Sequence, residues 1–211
     1  MKKLLVVLIS SLTFLSCSEK TIKIACVGDS ITEGAGIEKQ NQFAYPVILD
    51  SLLTERVEVL NCGRGGSATQ KTSDFSYWNT KEFSNLFTYK PNIVIIAHGT
   101  NDTKSQNWNA ERFEQDYQAL IDTIQSMSTK PKIVMCIPVP VFGEMWGIND
   151  STLVTGVIPV IKKIAERNQL QLIDLNTPLK DKNQFFPDNI HPNEAGAREM
   201  AAIVAKEIKL K

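Results

Sequence analysis

Val27-Gly28-Asp29-Ser30-Ile31-Thr32 decides the fold: it follows the apolar run Ile22 to Val27 and precedes the small, polar Glu33-Gly34-Ala35-Gly36. An apolar, β-branched run that stops at a glycine and passes into a loop sets Ser30 just past a strand's carboxyl end. Open α/β sheets bind their ligands at that edge. A serine hydroxyl there is a weak nucleophile until a base takes its proton. The chain must then also supply a histidine, an orienting carboxylate and hydrogen-bond donors for a developing oxyanion.

Working outward, the pattern of the opening strand repeats. Val57 to Asn61, Ile93 to His98, Lys132 to Ile137 and Leu170 to Leu175 read as further strands. Helical periodicity separates them over Phe43 to Leu53, Ala110 to Met127, Asp150 to Asn168 and Pro192 to Ile208. The stretch from Tyr77 to Tyr89 reads as part helix and part cleft wall. Strands alternating with helices of this length mean a parallel sheet covered on both faces. The expected fold is a three-layer α/β/α sandwich on a five-stranded parallel sheet, flavodoxin-like, as one domain over residues 22–211.

Composition bounds the partners. The 211 residues include 23 basic and 23 acidic side chains, so no net charge argues for nucleic acid or an anionic membrane surface. A small or neutral substrate fits better. Lys2-Lys3 followed by the apolar stretch Leu4 to Leu15 has the form of a signal peptide, too short for an ordinary bilayer span. Phe14-Leu15-Ser16-Cys17 then resembles a bacterial lipoprotein box. The expectation is export, with residues 1–17 as signal peptide and lipobox, a lipidated Cys17 as the mature N-terminus, residues 18–21 as a tether, and membrane contact only through that lipid. The remaining cysteines, Cys26, Cys62 and Cys136, lie in apolar segments without paired spacing and read as buried free thiols, not a disulfide framework or zinc site.

Only two histidines compete for the role of base. His191 follows Asp188 by three residues across a tight turn, so the carboxylate can fold back onto one ring nitrogen and leave the other free. Pro192 suits a first helical position, which sets His191 at the N-terminal edge of the last helix. His98 ends a very apolar strand with no carboxylate three residues before it. It reads as a structural histidine under the cleft floor, hydrogen-bonded to backbone.

Gly28-Asp29-Ser30, Asn61 with Gly63 and Gly66, Gly99-x-Asn101-Asp102, and Asp188-x-x-His191 resemble, in order, the four sequence blocks of the SGNH (GDSL-type) esterase and hydrolase family. The resemblance implies Ser30 as nucleophile, His191 as base and Asp188 as orienting acid. It implies an oxyanion hole of the Ser30 and Gly66 amides with the Asn101 side chain, working without metal or organic cofactor. Ile31 stands where the family name has leucine, and packs inward. Asp29 and Asp102 read as loop braces.

The region from Phe142 to Trp146, the start of the helix at Asn149-Asp150-Ser151, and Phe185-Phe186-Pro187-Asp188 resemble exported carbohydrate O-acetylesterases, including sialate O-acetylesterase-like ones. That makes a glycan or small-molecule ester the expected substrate. Trp78, Trp108 and Trp146 lie in loops, where an aromatic face can stack on a sugar or cover the core's edge; Trp146 and Arg64 are candidate substrate contacts. Two rivals stand against this reading. A lysophospholipase or arylesterase would need a long apolar acyl groove, and a catalytically silent carbohydrate-binding lipoprotein would not need the Ser30, Asp188 and His191 set.

Overall fold

The computed structural model describes residues 21–54 and 56–210, so the leader expected over 1–17, its lipid attachment point Cys17 and all of the tether but Thr21 lie outside the described residues. Five strands form one sheet: β1 (Ile22–Gly28), β2 (Val57–Gly63), β3 (Ile93–Ala97), β4 (Lys132–Ile137) and β5 (Gln171–Asp174). Their order is β2-β1-β3-β4-β5, and every neighbouring pair is parallel. The chain therefore steps outward from β1 to β2 and returns on the other side of β1 to β3. The loops that leave β1 and β3 diverge at this reversal, opening a crevice at the strands' carboxyl ends.

The period-two alternation of the strands sorts side chains onto two cores. On one face Ala25, Val27, Val94, Ile96, Ile133 and Met135 meet α4 (Lys81–Tyr89), α5 (Ala110–Gln125) and α7 (Ile158–Arg167) through Leu86, Phe113, Ile121 and Ile161. On the other, Ile24, Cys26, Ile93, Ile95, Val134 and Cys136 meet α3 (Tyr45–Leu52) and α8 (Glu194–Glu207) through Leu49, Met200 and Val204. β3 is buried on both faces from Ile93 to Ile96, so a change such as Ile95→Ala would leave a cavity costing about 2–5 kcal/mol. Cys26, Cys62 and Cys136 are free and buried. Burial pushes the Cys62 and Cys136 thiols up to about 12.

Several boundaries differ from the sequence reading for local reasons. The helix expected from Phe43 divides into α2 (Gln40–Phe43) and α3, with Ala44 extended between them. Pro46 cannot share a continuous helix with residue 42, because its ring would clash with that carbonyl. Between α6 (Asp150–Thr152) and α7 the backbone takes a π turn over Leu153–Val157. A side chain at Gly156 would collide there with the Trp108 ring. The last helix begins at Glu194 and not Pro192, because Asn193 caps it by accepting a 3.0 Å hydrogen bond from Gly196 N. His191 consequently sits in the loop ahead of the helix, outside its first turn.

Candidate active site

Ser30 is positioned by a turn with no spare room. A side chain at Gly28 would collide with Thr32 and the Ala97 carbonyl, so only glycine lets β1 pass directly into α1 (Ser30–Glu33). Asp29 caps that one-turn helix, its Oδ1 accepting from Ile31 N at 2.9 Å. Asp29 is buried, and burial raises its carboxyl to about 6 against the pull of that amide. Ser30, the first helical residue, thereby has a backbone N–H with no intrahelical acceptor. Ile31 turns into the core, as its apolar side chain requires.

The loop before α8 brings the remaining polar groups. Asp188 Oδ1 accepts from the backbone amides of Ile190 at 3.0 Å and His191 at 2.6 Å, while Oδ2 lies 2.7 Å from His191 Nδ1. On the far side of the ring, His191 Nε2 is 2.9 Å from Ser30 Oγ. Partial burial alone would raise the Asp188 carboxyl, but the hydrogen bonds from His191 and Ile190 outweigh it and hold the group below the usual carboxylate range. An ionised carboxylate only accepts, so Nδ1 carries the ring hydrogen and Nε2 is left to receive the Ser30 proton. Residues 161 positions apart in the chain thus form one hydrogen-bonded line.

The third wall comes from the loops after β2 and β3. Asn61 stitches the first of these to α1, donating from Nδ2 to Thr32 O at 2.9 Å and accepting from Gly63 N at 2.8 Å. Gly63 and Gly65 pack tightly on Glu33, whereas Gly66, at φ +76°, lines the cavity. Its amide makes none of the loop's hydrogen bonds among the described residues. Asn101 Nδ2 donates to Ser67 O at 3.1 Å, and the residue lines the same cavity as Ser30 and Gly66. Asp102 braces both loops by accepting from Thr69 N at 2.9 Å and Gln70 N at 3.0 Å; burial raises its carboxyl to about 6 despite these amides.

The cavity has a volume of about 310 Å³. Ser30, His191, Gly66 and Asn101 line it together with Ala35, Ile148, Lys104 and Trp146. A larger groove of about 490 Å³ runs between α5 and α7 among Glu111, Glu114, Gln118 and Arg167. Neither histidine nor serine is among its lining residues.

Other expected residues separate from this cluster. Arg64 is exposed, its guanidinium 5.7 Å from the Phe75 ring, and it does not line the cavity. Trp78 donates its indole N–H to Thr69 O at 2.9 Å and Trp108 packs on Gly156, so both cover the core's edge. Trp146 alone of the three tryptophans stands exposed, with its ring centroid 5.4 Å from that of His191.

His98 is fully buried, but neither ring nitrogen has a partner among the described residues, which corrects the expected hydrogen bond to backbone. It packs edge-on against Tyr77 at 4.6 Å. Burial lowers its pKa to about 3, so the ring is a neutral core group near pH 7. Lys104, Ala35 and Ile148 are cavity residues that the sequence reading missed. A loop lysine and two small or apolar residues carry no pattern that separates cavity wall from surface or core.

A parallel α/β/α sandwich with serine, histidine and aspartate joined at its strand-end rim is the architecture of an SGNH-type hydrolase. Residues 26–199 match the GDSL-like Lipase/Acylhydrolase family, and the chain belongs to that family. It is 34% identical over 210 residues to an acetylxylan esterase of Xylanibacter ruminicola, covering 90% of this chain and 44% of that protein. The chain therefore spans less than half the length of this relative. Among solved structures, an acetyl xylan esterase (AlAXEase) superposes with a TM-score of 0.71 at 22% identity, covering 89% of this chain and all of the other. A two-domain esterase active on acetylated mannans gives 0.68 at 21% identity, over 91% of this chain and 50% of that one. At these identities the two structures speak for the fold.

Proposed function

We propose that this chain is a serine esterase that removes acetyl groups from carbohydrate hydroxyls through an acyl-enzyme. The observation that carries the reading is the unbroken line Asp188–His191–Ser30, with contacts of 2.7 and 2.9 Å, opening into a cavity. His191 Nε2 takes the hydroxyl proton as Ser30 Oγ attacks the ester carbonyl. The tetrahedral oxyanion accepts from the amides of Ser30 and Gly66 and from Asn101 Nδ2, each donor worth roughly 3 kcal/mol in the transition state. His191 passes its proton to the departing alcohol; water then enters, its oxygen attacks the acyl carbon as the same nitrogen takes its proton, and the acid leaves as His191 returns that proton to Ser30 Oγ.

The cavity volume of about 310 Å³ beside Ser30, with Ala35 and Ile148 among its lining, supports a short acyl group. The likeness to an acetylxylan esterase supports a carbohydrate as the alcohol. Export and a lipid on Cys17 would bring the domain to glycans outside the cytoplasm; loss of lipid labelling in Cys17→Ser tests that placement. For the activity, acetate release from acetylated xylan is measured with wild type and Ser30→Ala. The variant is expected to lose on the order of 10⁶-fold in kcat. A nitrophenyl ester series that favours octanoate over acetate would overturn the choice of acyl group.

A further inference from the structure

Trp146 occupies a backbone conformation that a bulky residue seldom adopts. Met145 and Ile148 form an antiparallel bridge closed by an Ile148 N to Met145 O hydrogen bond of 2.9 Å, and the two residues between them, Trp146 and Gly147, have φ of +53° and +77°. Positive φ at both central positions is the primed hairpin geometry, which favours asparagine, aspartate or glycine at the first of them. Tryptophan is an unfavourable choice there. Its side chain nevertheless stands 59% exposed instead of burying an apolar face.

The turn is held from beneath. Gly147 lies over the stem of Lys104, whose Nζ pairs with Asp74 Oδ2 at 3.2 Å. Asp74 Oδ1 also accepts from Asn107 Nδ2 at 2.8 Å, and Asn107 Nδ2 reaches the Asn101 carbonyl at 3.0 Å. One polar network thus fixes both the oxyanion-facing Asn101 and the base of the Trp146 turn.

The ring's position assigns it to one half of the substrate. In ester hydrolysis the leaving oxygen must take its proton from His191 Nε2, so the alcohol lies on the histidine side of Ser30 and the acyl group on the other. Trp146 lies beside the imidazole and lines the same cavity. We infer that Trp146 is a specificity-determining platform that stacks on the pyranose face of the leaving alcohol and discriminates sugar esters from simple alkyl esters.

This rests on the proposed carbohydrate esterase function. A sugar ring presents a flat array of C–H groups that pairs with an indole face, while ethanol offers too little surface to gain from it. Once the sugar has left, the acyl-enzyme no longer meets the platform, so deacylation does not sense residue 146.

The test compares wild type, Trp146→Phe and Trp146→Ala on peracetylated methyl xyloside and on ethyl acetate. The ratio of kcat/KM for the sugar ester to that for ethyl acetate is expected to fall about tenfold in Trp146→Ala, the size of one aromatic stacking contact. Trp146→Phe should recover most of it. Equal losses on both esters would overturn the platform by placing the ring's effect on His191 itself, and an unchanged ratio would overturn it outright. If wild type cleaves ethyl acetate but not the sugar ester, the carbohydrate reading fails and the platform with it. That outcome is distinct from an unchanged ratio in an enzyme that cleaves both.

Discussion

The two histidines stand in opposite surroundings, one ring between polar partners and the other buried without any among the described residues. His191 sits in a polar loop with Asp188 on one ring nitrogen and Ser30 on the other. His98 lies just past the end of β3, fully buried beside Tyr77, with both nitrogens unpartnered. Neighbouring groups, not residue type, decide which imidazole can move a proton. A carboxylate and an accessible hydroxyl give one ring a tautomer and an acceptor role. Burial without partners makes the other ring a neutral filler whose protonation the core resists.

The sharpest way to break this comparison is to exchange what each histidine can do. His191→Ala should cost on the order of 10⁶-fold in kcat, as removal of a serine hydrolase's base does when the nucleophile is left in place. His98→Phe should alter kcat by only a few-fold, because its ring meets neither Ser30 nor the cavity. Steady-state hydrolysis of a soluble acetate ester measures both; comparable losses would make His98 a partner in catalysis.

Asn101→Ala comes next, with an expected 10²- to 10³-fold fall in kcat from the loss of one oxyanion donor. KM should change far less, since the donor acts on charge that develops only in the transition state. The variant also frees the Ser67 carbonyl, so its melting temperature is measured alongside.

The smallest effect concerns stability and isolates His98. Its folded pKa of about 3 lies below the ordinary value of 6.5, so the unfolded chain binds a proton that the folded one refuses. The stability this gives is fully present above pH 6.5 and is lost as pH falls toward 3, at about 1.4 kcal/mol per pH unit. Asp29 and Asp102, both raised to about 6, act in the opposite sense, contributing stability below about pH 4 that is lost as pH rises through 6. Both are common to wild type and His98→Phe. Denaturant unfolding from pH 7 to 4 should therefore show the stability of the variant rising relative to that of wild type as the pH falls; parallel curves would mean that His98 has a proton-sharing partner.

Much of this architecture was legible in the sequence because its determinants are local. An apolar run ending in Gly28 marks the Ser30 turn, and Asp188-x-x-His191 has the spacing at which a carboxylate folds back on an imidazole. The alternation of Ile24 with Ala25 and Ile93 with Val94 assigns side chains to two cores without reference to distant residues. What escaped depends on competition or on tertiary placement. Pro192 and Asn193 are both good helix starters, and the asparagine's side-chain cap with Gly196 prevails. Nothing in the strand around His98 reveals whether a carbonyl will face its ring. Lys104, Asp74 and Asn107 look like solvated loop residues until Asn107 is seen to reach the Asn101 carbonyl. The positive φ of Trp146 contradicts its own propensity, and such a conflict appears only once the turn is built.

The central claim, that His191 activates Ser30 for attack, is tested most directly by intact-mass and peptide mapping after treatment with a fluorophosphonate probe. The expected result is a single adduct on Ser30 in the wild-type protein, and none in His191→Ala over the same interval. An unlabelled wild type, an adduct on another residue, or equal labelling of Ser30 without the histidine would contradict it.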